Sequence, residues 1–189
     1  MKELSLNILD IVENSTKAKA ELVKIEISES DELLSIIITD NGTGMDEETL
    51  RSVTDPFYTT RTTRKVGMGI PLFRLAAQQT GGEFSIGSTH VNVDAKNHGT
   101  EVHAVFNKTH IDFTPLGDII STITTLIQGH PNVDFLFSHA RGDRCVSLDT
   151  REMRQVLEDI PLDSFEVLLW IKENLAEQYD KFNKNKYMS

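Results

Sequence analysis

Residues 10–17 read Asp10-Ile11-Val12-Glu13-Asn14-Ser15-Thr16-Lys17, and the setting of this stretch decides the fold. Across residues 2–17 the apolar side chains Leu4, Ile8, Leu9, Ile11 and Val12 return to one side of a helical wheel, with Leu6 outside that arc. At 100° per residue, Glu3, Asn7, Asp10, Asn14 and Lys17 gather within an arc of about 80° on the other side. Carboxylate, amide and ammonium groups therefore face the same space. An amide oxygen such as that of Asn14 suits a hard divalent cation, which favours oxygen ligands and reaches nucleotides through their phosphates. Taken alone, the same stripe also fits an ordinary solvent-facing helix side.

Two apolar, β-prone runs follow at residues 22–27 and 33–39, separated by the polar segment 28–32, and read as adjacent antiparallel strands. The second ends on Asp40-Asn41-Gly42-Thr43-Gly44-Met45. A charge at the end of so apolar a strand is costly unless something donates to it, and the exocyclic amine of adenine is such a donor. Gly42 and Gly44 permit close approach to a planar base or unusual dihedrals, and Met45 can cover its apolar face. An Asx turn after a strand is the plain alternative.

Residues 46–50 predict a short helix with an acidic first turn, and residues 54–66 read as irregular. Val66-Gly67-Met68-Gly69-Ile70-Pro71 then leads into a helix with Pro71 in its first turn and Gly81-Gly82 as its stop. Backbone N–H groups at that helix start can meet phosphate without a side-chain cation. A P-loop is excluded because no Gly-Lys-Ser/Thr follows, and a dinucleotide fingerprint because the preceding segment is a Thr/Arg loop rather than a strand. Strands at 83–88 and 101–106 bring the expected sheet to at least four.

These boxes, with Asp55-Pro56-Phe57-Tyr58-Thr59-Thr60-Arg61 as a fourth, occur in an order that resembles the nucleotide-binding domain shared by several families. They are sensor histidine kinases, anti-sigma-factor kinases, type II topoisomerases, the heat-shock chaperone and mismatch-repair ATPases. The fourth box is most similar to histidine kinases of the nitrogen-regulatory type. The resemblance covers about residues 2–107. It implies an α/β two-layer sandwich of Bergerat type, with a mixed, mainly antiparallel sheet and helices on one face.

The resemblance also implies roles. Asn14 is the magnesium ligand, Asp40 reads adenine, and Thr100, after Gly99, supports Asp40 or its water. Asp10 matches a position commonly held by glutamate or another polar residue that orients or deprotonates water; it is one methylene shorter than glutamate, which weakens direct general-base hydrolysis. Residues 58–66 form a short ATP lid whose far hinge is Gly67 and Gly69. In it Arg61, Arg64 and Lys65 counter triphosphate charge alongside Thr59 and Thr60. Lys17, Gly42, Gly44, Met45, Phe57 (packed beneath the loop), Val66, Met68 and Ile70 complete the expected nucleotide surroundings. The expected cofactors are ATP and Mg2+.

The chain has 189 residues, enough for one full domain plus an appendix, and the division is expected at 1–108 and 109–189. The appendix predicts a helix at 116–128, short strands at 133–137 and 144–148, then two acidic helices, the last near 165–179 with residues 181–189 frayed. A formal charge of −10 disfavours bare nucleic acid and anionic lipid, so an anionic ligand needs local attraction, which the basic loop and the helix start supply.

The single cysteine, Cys145, fits a reducing compartment and is expected as a small buried hydrophobe. No run of about 20 apolar residues is present and the N-terminus lacks a signal-peptide pattern, so a cytoplasmic, non-membrane protein is expected. No histidine has metal-ligand spacing, and His98 and His103 are expected at the surface.

No long dimerising helix pair with a phosphoacceptor histidine is visible, so a kinase would need an acceptor, histidine or serine, on another protein. The leading expectation is phosphoryl transfer to a separate protein partner. A non-catalytic, ATP-controlled interaction switch is the alternative and slow ATP hydrolysis the third. The helix of Asn14 starts where histidine kinases have a preceding strand, so the edge of the first strand is expected to be open or partner-filled, with homodimerisation as one consequence.

Overall fold

A computed structural model describes residues 3–54 and 69–184. In chain order the elements are α1 (Leu4–Lys17), β1 (Leu22–Glu29), β2 (Leu33–Asp40), α2 (Glu47–Thr54), α3 (Gly69–Gln79), β3 (Phe84–Thr89), β4 (Gly99–Asn107), α4 (Ile119–Gly129), β5 (Asp134–Arg141), β6 (Arg144–Asp149), α5 (Thr150–Leu157) and α6 (Phe165–Lys184).

The strands form one six-stranded sheet in the order β3-β4-β2-β1-β5-β6. All pairings are antiparallel except β1 with β5. Alternation sorts each strand into two faces: Val23, Ile25 and Ile27 of β1 are buried, while Lys24, Glu26 and Ser28 are exposed. The buried face receives α1, which packs between α3 and α4, and α4 in turn meets α6. Leu4, Ile8, Ile11 and Val12 fill the space over Ile25, Ile36 and Ile38, with Phe73 against Phe106 on one flank and Ile123 and Phe135 on the other. The result is the expected mixed sandwich.

The first strand's edge is not open. β5 pairs in parallel along β1, from Leu22↔Asp134 to Ser28↔Ala140, so residues beyond 108 supply the neighbour that the sequence reading left vacant. The same region caps α1. Its N-cap Glu3 makes no side-chain cap bond to the helix, and the orphan N–H groups of Leu4 and Ser5 donate to the carbonyls of Pro115 and Leu116 at 2.9 and 2.8 Å.

Two further expectations change. Cys145 is exposed, because on β6 Val146 and Leu148 take the inward positions and leave Cys145 and Ser147 outward. The last helix continues to Lys184 because residue 182 is anchored. Phe182 is buried, and its carbonyl accepts from Arg141 Nη2 at 2.9 Å and Arg144 Nη1 at 2.6 Å. The guanidinium of Arg141 also stands 4.5 Å over the Phe182 ring.

That anchor joins a polar network at the end of β1. Glu29 meets Lys108 Nζ at 2.7 Å, Arg141 Nη1 at 3.2 Å and His139 Nε2 at 3.5 Å. His139 and Lys108 hold its carboxyl down at about 2, from an ordinary 4.5, against burial, which pushes the other way. Its contribution to stability is complete above pH 4.5 and is lost as pH falls toward 2. Glu29→Gln is therefore expected to cost on the order of 2 kcal/mol at neutral pH and to flatten the loss of stability between those limits. Urea denaturation from pH 7 to 2.5 checks this, and equal acid slopes for both proteins would contradict it.

Candidate functional site

β2 ends on Asp40 with the partners Val23 on one side and Thr100 on the other, and this register sets the site. Asp40 is half-buried. Its Oδ2 accepts the hydroxyl of Ser15 at 2.6 Å, and its Oδ1 accepts the backbone N–H groups of Gly42 at 2.9 Å and Thr100 at 3.2 Å. An ionised carboxylate has about four lone-pair sites. Among the described residues three donors engage them, one on Oδ2 and two on Oδ1.

The surrounding backbone is packed as closely as glycine allows. Gly99 has φ +130, and a Cβ there would lie 1.9 Å from the carbonyl oxygen of Asp40. Gly44 has φ +66, and a Cβ there would lie 2.0 Å from the carbonyl oxygen of Thr89. The loop is held at its far side as well: Asn41 Oδ1 accepts from Glu21 N and Leu22 N at 2.9 and 2.8 Å, and Thr43 N donates to Ala18 O at 2.8 Å.

Thr100 supports Asp40 through its backbone N–H, while its hydroxyl lies 2.9 Å from Ser88 Oγ. Ser88 also accepts from Met45 N at 2.8 Å and so ties the loop to β3 and β4. Met45 is partly buried against the core. His98 is not a free surface group: its Nδ1 stands 2.5 Å from Gly42 O. His103, half-buried, pairs with Ser35 Oγ at 2.9 Å.

On α1 the polar stripe divides. Asp10 and Lys17 are exposed and Asn14 is half-buried, but Asn7 is 1% exposed. The amide nitrogens of Asn7 and Asn14 are both buried and have no partner among the described residues. The unpartnered Asn14 nitrogen is a donor, suited to a water or phosphate oxygen rather than to a cation. The Asn14 oxygen is the atom of that amide whose chemistry would suit magnesium, an ion that keeps waters and substrate phosphates as its other ligands. Gly69 opens α3; a Cβ there would fall 2.7 Å from Asp10 Cβ, so the helix start abuts Asp10. Ile70 is buried, and its side chain serves the core. Phe57, Thr59, Thr60, Arg61, Arg64, Lys65, Val66, Gly67 and Met68 lie outside the described residues.

Ser15, Asn41, Ser88 and His98 received no role from the sequence. For Ser15 a signal was present: it follows Asn14 in a helix whose turn faces the end of β2. Ser88 and His98 act through a strand register that sequence does not specify.

Residues 2–110 match the family model described as histidine kinase-, DNA gyrase B- and HSP90-like ATPase. The chain belongs to this family. A candidate sensor protein of Shewanella frigidimarina (strain NCIMB 400) is 26% identical over 107 residues, 56% of this chain and 15% of that protein. The crystal structure of the N-terminal domain of a DNA repair protein is 18% identical with TM-score 0.52, covering 79% of this chain and 53% of that one. A single-substitution variant of the MutL ATPase domain of Aquifex aeolicus is 16% identical with TM-score 0.52, covering 84% and 68%. At these identities the solved structures establish the fold. With the family it means that the chain contains an ATP-binding domain of the Bergerat fold. Among the described residues no helix is long and apolar enough to cross a membrane.

The steric limits at the site make a sharp test. Gly99→Ala is expected to cost about 3 kcal/mol, since it combines positive φ with a clash against Asp40. Gly87→Ala, where a Cβ meets nothing within 4 Å, should change stability by less than about 0.5 kcal/mol. Chemical denaturation of both variants checks this, and equal effects would contradict the close approach.

Proposed function

We propose that the protein binds Mg-ATP at Asp40 and transfers the terminal phosphoryl group to a histidine or serine on a separate protein. The observation that carries the reading is the half-buried Asp40 carboxylate, held by three donors among the described residues and with acceptor capacity beyond them on Oδ2. That arrangement suits the exocyclic amine of adenine, with Gly42 and Gly44 letting the backbone approach the base and Met45 beside it.

Asn14 would hold magnesium, and the first-turn N–H groups of α3, with Lys17, Arg61, Arg64 and Lys65, would counter phosphate charge. When bound, Mg-ATP supplies a terminal phosphorus whose negative surroundings are partly neutralised. Asp10, exposed beside the start of α3, would orient the acceptor's hydroxyl or imidazole and take its proton directly or through one water. Residues 1–108 carry this chemistry in the proposal, and residues 109–189 present the partner-facing surface.

A non-catalytic switch is the second reading. It is favoured by the contacts that residues beyond 108 make with α1: the Pro115 and Leu116 carbonyls at its start and His130 Nε2 on Glu13 Oε1 at 2.8 Å, one residue before Asn14. A shift in α1 on ligand binding would reach that region directly.

Incubation with γ-labelled ATP and magnesium, alone and with cell extract, separates the readings. Label on a second polypeptide is expected. Tight ATP binding with neither label nor free phosphate would overturn transfer and leave the switch. Asp40→Asn is expected to weaken ATP by about a hundredfold or more, because the amide turns a donor toward the adenine amine. Unchanged affinity would overturn the assigned site.

A further inference from the structure

At the β6 margin of the sheet, far along the strand order from β4 and Thr100, lies a groove of about 1130 Å3. Its floor is Leu136 and Ser138 with Lys24 and Glu26, side chains that alternate with the core positions and so belong to the sheet face turned away from α1. Its walls are Met153, Val156 and Leu157 of α5, Ile160, and Val167 and Trp170 of α6. Val156 is 83% exposed, Ile160 54% and Trp170 51%, an apolar concentration that solvent alone does not explain. A groove of this size walled by two helices can seat a chain segment.

Two observations define the segment. The lining is acidic on balance: Glu26, Glu152 and Glu166 stand against the one cation Lys24, which shares a strand face with Glu26, and from residue 155 to 171 the sequence holds Glu158, Asp159, Asp163 and Glu166 with no basic residue. Arg151 and Arg154 nearby are engaged by Asp149 and Asp134 at 2.8 Å each. A second copy of this chain, itself carrying −10, would bring like charge to like charge. The adjoining strand edge is also closed to an added strand, because Gln178 donates to Ser147 O at 3.0 Å and accepts from Ser147 N at 2.9 Å.

We propose that this groove receives an amphipathic helix of a partner protein, its apolar stripe on Val156, Ile160 and Trp170 and its flanking Lys or Arg residues against Glu152 and Glu166. The proposal stands apart from the nucleotide reading, since no residue is shared between the two.

Trp170 is the sole tryptophan and reports on the groove. The full chain is titrated with a synthetic tryptophan-free helix of about four turns, leucine on one face and lysine on its flanks. The expected result is a saturable 1:1 blue shift of Trp170 emission that weakens as salt rises. The same peptide with glutamate for lysine should bind at least about tenfold more weakly. Ile160→Asp should lower affinity by about tenfold or more, and the Glu152→Lys/Glu166→Lys double variant should reverse the preference between the two peptides.

Asp40→Asn should bind the basic peptide normally, and Ile160→Asp should bind ATP normally, so failure of one site leaves the other assigned. No saturable shift, equal affinity for both peptides, or unchanged affinity in the groove variants would overturn the proposal. So would concentration-dependent self-association that is lost in Ile160→Asp, which would assign the surface to a second copy.

Discussion

The carboxylate of Asp40 is the point on which the structure and its chemistry both depend. It stands at the end of an apolar strand and is kept there by the Ser15 hydroxyl and by the N–H groups of Gly42 and Thr100. Each bond comes from a different part of the chain: α1, the loop after β2, and β4. The carboxylate therefore fixes the helix and β4 to the end of β2, an interior strand of the sheet. Hydrogen bonds to a charged group contribute about 1.5–3 kcal/mol each, so three of them can outweigh the cost of partial burial.

The glycines follow from that arrangement. Gly99 brings β4 close to the Asp40 carbonyl, and Gly44 turns the loop onto the strand at Thr89, both at distances no Cβ permits. This is why the Asp-x-Gly-x-Gly stretch was legible in the sequence: the residue types record a backbone geometry. The helix of residues 2–17, the two central strands and the Pro71 helix were legible for similar local reasons, through period, alternation and terminus chemistry. Asn14 and Asp10 sat where one helical turn places them.

What sequence left open depends on contacts between distant residues. The pairing of β5 with β1 is a crossover of more than a hundred residues, and nothing in the composition of residues 134–141 states which strand they join. Without that pairing the edge of β1 looked vacant and homodimerisation looked reasonable. Likewise Cys145 read as buried because its strand is apolar, whereas the face it occupies is set by the inward turn of Val146 and Leu148. Ser15, Ser88 and His98 gained partners only once register brought α1, β3 and the 90–98 connection to the same loop.

The central claim is that the remaining lone pair of Asp40 reads the amine of adenine, and removing that amine from the ligand tests it without altering the protein. Calorimetric titration with ATP and with purine riboside triphosphate, which lacks the 6-amino group, is the direct measurement, with magnesium present in both. Binding at least about tenfold weaker for the analogue is predicted from the loss of a charge-assisted hydrogen bond at a site built to make it. Equal affinity for the two nucleotides would contradict the account.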